Sequence, residues 1–134
     1  MNKNIKFLIE NIVNFDVADY QDEKDSIIDS HTIHNALYKY FPETSDELKK
    51  LVAARIEKNP KAPYLLDIET SKIDDMSDLF MAYDNGDEVG NYYIKDFELT
   101  DQIEILDLST WDTSNVEDML RMFCRCYNLK KLNI

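Results

Sequence analysis

The two histidines of the chain, His31 and His34, have a spacing that can serve metal binding. On a helix, residues three apart share one face, so both imidazoles can reach one zinc ion. A zinc site needs at least three protein ligands, and the nearest additional candidates are Asp29 and Glu43. No third ligand stands at a convincing spacing, so we interpret both residues as ordinary helix histidines and predict no metal site.

The two cysteines, Cys124 and Cys126, are separated by a single residue. Zinc knuckles and redox pairs use a two-residue spacer, and the chain has no second cysteine pair. We therefore expect reduced thiols with a role in packing, as is usual in a reducing compartment.

Acidic residues are the most numerous groups that could act in catalysis, and adjacent pairs occur at 74–75 and 117–118. Acid–base catalysis requires a buried pair with perturbed pKa values in a cleft with convergent partners. No Ser/His/Asp set or glycine-rich phosphate loop accompanies these pairs. The run DNGDE at 84–88 resembles part of a calcium loop, but it lacks the EF-hand register and instead predicts an acidic hairpin turn. We predict a protein that is not an enzyme and uses no cofactor.

The net charge of −12 is unevenly distributed. Residues 67–118 contain sixteen acidic and two basic residues, whereas residues 119–134 contain four basic residues and no acidic one. Such a field repels phosphate backbones, excludes direct nucleic-acid binding and attracts basic proteins. The alternative is that the acidity only keeps the protein soluble. No apolar stretch approaches the length of a membrane span and no cleavage site follows the N-terminus, so we expect a cytoplasmic protein that contacts no membrane.

The first 59 residues have helical periodicity, and we assign them to an N-terminal helical cap. Apolar residues at helical spacing occupy residues 1–15, and Ser30 is a candidate N-cap for a second helix. Thr44 and Glu47 have the spacing of a capping box, and Pro60 should end the helix that follows them.

Residues 60–134 contain internal repeats. Residues 70–80 match residues 113–123 at an offset of 43, and residues 103–108 recur as 129–134 at an offset of 26. Such self-similarity is typical of stacked structural units. The pattern predicts strands, short helices and one insert (residues 81–100), and the fold class is α+β. The predicted strands are 64–68, 103–108 and 129–134; the predicted helices are 71–80 and 114–123; the insert should contain a turn at 85–87 and a strand within 92–99.

The text LDLSTWDTSNVEDMLRMFCRCYNLKKL, residues 106–132, resembles the BspA-like (DUF285) repeat of the leucine-rich-repeat superfamily. Residues 66–80 resemble it more loosely. The resemblance implies a strand and a short helical turn per repeat, with the second acid of each pair capping backbone groups. It also implies that the stack interior contains Leu106, Leu108, Trp111, Val116, Met119, Met122, Phe123 and Leu129.

Members of that family are mostly long bacterial surface proteins implicated in adhesion, and short intracellular or prophage-borne versions also occur. This chain has no recognisable signal peptide, about two and a half repeats and a helical first half. We therefore expect a short cytoplasmic or prophage-type member, with a truncated or domain-sized surface adhesion protein as the alternative.

The insert at residues 81–100 combines aromatic and acidic residues. Tyrosines flanked by carboxylates are good anchors for a basic protein groove, although they can equally cover the repeats as local core. The first interpretation predicts a non-enzymatic protein-binding module, in its most specific form a phage-type inhibitor (anti-defence or anti-CRISPR-like) of a basic, nucleic-acid-processing enzyme. The last strand, 132–134, could pair with a partner or with a second copy of the chain. The predicted partner-binding residues are Asp84, Asp87, Glu88, Tyr92, Tyr93, Asp96 and Glu98.

Overall fold

The computed structural model describes residues 38–134, which form a small mixed α+β domain and so confirm the predicted fold class. The elements in chain order are α1 (Ser45–Lys58), α2 (Phe97–Asp101), β1 (Ile105–Asp107) and β2 (Lys131–Asn133). None of the helices within this range is long and apolar enough to span a bilayer. The helices predicted in residues 1–37, with His31 and His34, lie outside the described residues.

Helix α1 begins as its capping signal predicts. The Thr44 hydroxyl accepts a hydrogen bond from the Glu47 backbone N–H, and the Glu47 carboxylate accepts one from the Glu43 N–H at 2.8 Å. The helix ends at Lys58, two residues before Pro60, because the residue before a proline disfavours the helical region. Its apolar face is buried and consists of Leu48, Val52, Ala53 and Ile56.

The two strands pair in parallel at the offset of 26 that the sequence shows, with Leu106 opposite Leu132. At the start of this pairing, the Glu104 carbonyl accepts hydrogen bonds from the N–H groups of Lys130 and Lys131. The same pattern occurs 43 residues earlier, where the Lys61 carbonyl accepts from Glu104 and Ile105. Both sequence offsets are therefore real structural spacings. We call residues 61–81 repeat 1 and residues 104–124 repeat 2.

The two repeats lie side by side over their second halves. Three backbone N–H groups of repeat 1 donate to carbonyls of repeat 2, at 2.8, 2.8 and 3.0 Å. The pairs are Met76 N–H to Asp118 O, Asp78 N–H to Leu120 O, and Phe80 N–H to Met122 O.

The short helices predicted at 71–80 and 114–123 are absent, and that prediction was wrong. Both segments are turns and extended chain. The Asp75 and Asp118 carboxylates each accept the backbone N–H two residues later, at 2.8 Å, which competes with helix formation. Asp78 and Arg121 have φ values of 59° and 56°, in the left-handed region that no α-helix contains. The helical apolar spacing therefore reflects burial between repeats.

Two strand predictions also need correction. Residues 64–68 form only a single parallel bridge, between Ile68 and Tyr40. The segment 92–99 is not a strand, because the Asp96 carboxylate accepts the Glu98 N–H and starts helix α2.

The core is one apolar cluster shared by α1 and both repeats. Phe80 is fully buried and stacks on Trp111 and Phe123, with ring centroids 6.1 and 5.6 Å apart. Among the residues predicted to lie inside, Met119 is the exception, since its side chain is 47% exposed. The others are buried (Leu106, Leu108, Trp111, Met122) or partly buried (Val116, Phe123, Leu129).

Helix α1 and the insert lie on the side of repeat 1 that faces away from repeat 2. The Ser45 hydroxyl donates to the Asp75 carbonyl at 2.6 Å, and the Asn91 amide donates to the Leu79 carbonyl at 3.0 Å. Arg55 makes two 3.0 Å hydrogen bonds to the buried Asp67 carboxylate. These contacts fix α1 and the insert onto repeat 1.

Candidate protein-interaction surface

The insert begins with the predicted acidic turn. The backbone of Asp84 pairs with that of Val89 in an antiparallel bridge, and the Asp84 carboxylate accepts N–H groups from Gly86 and Asp87. The Gly86 N–H is the main cause of a lowered pKa at Asp84, and Arg125 adds to it from 3.5 Å. Asp84 is therefore a structural residue of the turn, rather than a freely available contact residue.

Gly90 lets the chain leave this turn. Its φ of 114° is rarely adopted by L residues, and a Cβ at this position would lie 2.4 Å from the Ala82 carbonyl oxygen. The close approach of the two segments continues at the next residue, where the Asn91 N–H donates to the Met81 carbonyl. This positions the tyrosines that follow.

Three tyrosines form a continuous aromatic group beside the turn. The rings of Tyr83 and Tyr92 have centroids 4.9 Å apart, and those of Tyr92 and Tyr93 are 6.0 Å apart in an edge-on arrangement. Tyr92 is 57% exposed and Tyr93 37% exposed. The sequence left two interpretations of these tyrosines, as local core or as surface anchors. The exposed fractions of Tyr92 and Tyr93 favour a surface position.

The chain's own cations lie over the exposed rings. Lys95 Nζ lies 5.5 Å from the centroid of Tyr92, and Lys50 Nζ lies 5.4 Å from that of Tyr93. The Tyr93 hydroxyl donates to the Asp46 carboxylate at 2.7 Å. That hydrogen bond raises the pKa of Tyr93, because an ionised phenol would face a carboxylate. We call Tyr83, Tyr92 and Tyr93, with the turn 84–89, the tyrosine surface.

The last two predicted contact residues, Asp96 and Glu98, belong to α2. Asp96 is the N-cap of this helix, whereas the Glu98 side chain is exposed. The Phe97 ring between them lies 5.6 Å from the guanidinium of Arg125, which also pairs with Asp84. Arg125 therefore links α2 to the turn. Of the seven predicted residues, Asp84 and Asp96 are structural, and Tyr93 is exposed but hydrogen-bonded to Asp46. The other four are exposed without such a role: Asp87, Glu88, Tyr92 and Glu98.

Sequence reasoning missed Asp46, Lys50 and Arg125. All three are charged residues at exposed or half-exposed positions. Asp46 and Lys50 lie 47 and 43 residues before Tyr93 in the chain, and Arg125 lies 28 residues after Phe97. No local spacing signals such contacts, since they arise only when α1 and repeat 2 meet the insert.

The cysteines and acidic pairs have structural surroundings. Burial raises the pKa of the Cys126 thiol to about 11, and its sulfur contacts the Phe80 carbonyl, so the thiol is protonated and packed at neutral pH. Asp75 and Asp118 cap backbone N–H groups, as the family resemblance implies. Within residues 38–134, no three His, Cys, Asp or Glu side chains are grouped so that they could hold a metal ion.

The fold and surface define a small α+β repeat domain with an exposed aromatic and acidic insert. The model of the family described as "Mycoplasma protein of unknown function, DUF285" matches residues 48–134, and the chain belongs to this family. The match confirms the resemblance identified from the repeat text. No curated protein and no solved structure shows significant similarity to the chain.

Proposed function

We propose that this protein is a non-enzymatic binding module that engages a basic protein partner through the tyrosine surface. The observation that carries the proposal is the exposed aromatic group of Tyr92 and Tyr93, set among exposed carboxylates beside a rigid turn. Tyrosine is enriched among the residues that dominate binding energy at protein interfaces. A rigid support reduces the entropy lost on association.

In the proposed architecture, α1 is a helical cap on a short leucine-rich-repeat-like stack. Three findings support it: the matching bonds at Lys61 and Glu104, the parallel ladder between the repeats, and the contacts of α1 with the outer side of repeat 1. The stack serves as a scaffold that holds the insert.

The chain's own lysines support the choice of a basic partner. Lys50 and Lys95 already lie within cation–π distance of Tyr93 and Tyr92. An arginine side chain of a partner would stack better on these rings than a lysine, because guanidinium is planar and more weakly hydrated. The net charge of −12 would steer such a partner toward the surface, with an on-rate that falls as salt increases.

The test is a pull-down from cell extract at low and moderate salt, with the bound proteins quantified by mass spectrometry. We expect basic proteins to be retained by the wild type and lost, at least tenfold, from Tyr92→Ala. The double variant Asp87→Lys/Glu88→Lys should reduce retention mainly at low salt. Asp84 is left intact, because its substitution would disturb the turn.

Tyr127→Ala is the matched control. Tyr127 is also a highly exposed tyrosine, 78% exposed, but it belongs to the segment after repeat 2. If it reduces retention as much as Tyr92→Ala does, or if no basic protein is retained at either salt concentration, the proposal is wrong.

Membership of the family favours a second candidate, a domain-sized BspA-like surface protein that acts in adhesion. In intact source cells, a surface location would expose the protein to added protease, whereas a cytoplasmic location would protect it. The inhibitor version, a phage-type anti-defence protein, remains a prediction. Its test is inhibition of a purified nucleic-acid-processing enzyme by the wild type but not by Tyr92→Ala.

A further inference from the structure

The outer side of repeat 2, which faces away from repeat 1, presents a row of unused backbone donors. In repeat 1, the N–H groups of Met76, Asp78 and Phe80 donate to repeat 2. Their equivalents at the offset of 43 are the N–H groups of Met119, Arg121 and Phe123, which we call the donor row. No residue within 38–134 accepts a hydrogen bond from them.

Two local features recur in both segments, so the donor row points away from repeat 1 in the same way as its counterpart points toward repeat 2. The left-handed residue recurs at Asp78 and Arg121. The turn bond from Met81 N–H to Asp78 O likewise recurs as Cys124 N–H to Arg121 O, both at 3.1 Å. The donor row is therefore oriented for a further strand.

The carbonyls of the same three residues are already engaged. Met119, Arg121 and Phe123 accept from the N–H groups of residues 122, 124 and 126, at 3.1 to 3.2 Å. The outer side of repeat 2 therefore offers three donors and one acceptor, the Glu117 carbonyl, because Glu117 is the equivalent of Asp74, whose carbonyl accepts from the N–H groups of Glu117 and Asp118. In a symmetric pair of copies joined through this side, most donors would face donors.

On the opposite edge, on repeat 1, two of the three carbonyls equivalent to those of Asp118, Leu120 and Met122 are already capped. The carbonyls of Asp75 and Leu79 accept from the Ser45 hydroxyl and the Asn91 amide. A head-to-tail contact between copies would therefore have to displace α1 and the insert from repeat 1. Within residues 38–134, the outer side of repeat 1 is largely covered, whereas the outer side of repeat 2 is open.

We propose that the donor row binds an extended segment of a different protein, which adds to the repeats as a strand. Strand addition of this kind gains its affinity from main-chain hydrogen bonds and its specificity from alternate side chains. The surface around the donor row indicates the chemistry of the bound segment. Met119 and Leu120 are 47% and 57% exposed, so the segment should contact them with apolar residues.

Repeat 1 shows which side chains complete the fit. Asp78 lies opposite Arg121 at 2.7 Å, and Phe80 stacks on Phe123 with an interplanar angle of 5°. A strand added on the outer side of repeat 2 would meet Arg121 and the outer face of Phe123 in the same register. The segment should therefore contain an acidic residue followed two positions later by an aromatic one.

The probe is a synthetic peptide with the sequence of residues 67–81, which has Asp78 and Phe80 in this register and carries a free acceptor edge. Its binding to the isotope-labelled full chain is followed by amide chemical shifts and by hydrogen exchange. In the free protein, we expect the amides of the donor row to exchange at least about tenfold faster than those of Met76, Asp78 and Phe80. Peptide at millimolar concentration should slow the donor row selectively.

An Asp78→Lys version of the peptide should bind at least tenfold more weakly, since it would place lysine against Arg121. In the protein, Leu120→Lys should abolish the effect, whereas Tyr127→Lys should not. Three outcomes would overturn the proposal. The donor-row amides could already be protected from exchange in the free protein, or the peptide could fail to slow their exchange selectively. The third is dimerisation, detected by sedimentation, with amide protection that rises with protein concentration. Because Tyr92 lies outside this edge, Tyr92→Ala should leave peptide binding unchanged, which separates this proposal from the function of the tyrosine surface.

Discussion

Repeats 1 and 2 have related sequences but different surroundings. Repeat 1 lies between α1 and repeat 2, and its Met76 and Phe80 are fully buried. In repeat 2 the equivalent Met119 is 47% exposed and Phe123 is only partly buried, because the described residues cover this repeat on one side. The same residue type at the same repeat position is a core residue in one case and a surface residue in the other.

The largest expected difference between the repeats is in the methionine pair. Met76→Ala should lower the free energy of unfolding by roughly 2–5 kcal/mol, since it leaves a cavity in a close-packed core. Met119→Ala should cost less than about 1 kcal/mol, because this side chain is already half exposed. Urea unfolding of both variants measures the contrast. Equal losses would mean that the outer side of repeat 2 is covered.

A threonine pair gives a smaller contrast. The buried Thr70 hydroxyl donates to the Asp112 carbonyl and accepts from the Asp112 N–H, at 3.0 and 2.9 Å. Thr70→Val removes both bonds and should cost roughly 1–3 kcal/mol. Its equivalent Thr113 is exposed, so Thr113→Val should change stability by no more than about 0.5 kcal/mol. Thermal unfolding would show the difference, and a strong effect of Thr113→Val would contradict the equivalence of the two positions.

The smallest effect concerns acid stability. Burial raises the pKa of Asp75, but the hydrogen bonds from Ser77 outweigh it, so the pKa lies below its ordinary value of 3.8. A carboxyl with a lowered pKa in the folded state stabilises the protein above its ordinary pKa, and this contribution is lost as pH falls below about 4. Asp75→Asn keeps an oxygen for the Ser77 N–H but cannot titrate. Its unfolding free energy should therefore fall less steeply below pH 4 than that of the wild type; an unchanged slope would exclude Asp75 as a source of acid sensitivity.

The repeats and the insert also differ in how well the sequence predicts them. In the repeats, the spacing predicts two strands at an offset of 26, and the family resemblance implies most of the interior and the capping by Asp75 and Asp118. The short helices at 71–80 and 114–123 and the strand at 64–68 were predicted wrongly, whereas the strands within 103–108 and 129–134 were predicted correctly. Apolar residues three and four apart suggested helices, but in the fold the backbone pairs between repeats, and this pairing joins residues 42 apart, such as Met76 and Asp118.

In the insert, the sequence predicts the turn and the presence of aromatic and acidic residues, but not their roles. Asp84 and Asp87 look equivalent in the sequence, yet the Asp84 carboxylate accepts hydrogen bonds within the turn and the Asp87 side chain is exposed. Asp84 accepts the N–H groups of Gly86 and Asp87, and Arg125 approaches it in addition from the end of repeat 2. Such a partner lies too far along the chain for any local pattern to reveal it.

The sequence by itself determined the family, the repeat offsets, the start and end of α1 and the acidic character of the middle of the chain, because these depend on residue type and short-range spacing. The tertiary structure alone decided which repeat is buried on both sides, which carboxylates are structural and which edge is left with unused donors. Those properties depend on what packs against each residue, and the packing partners come from segments far apart in the sequence.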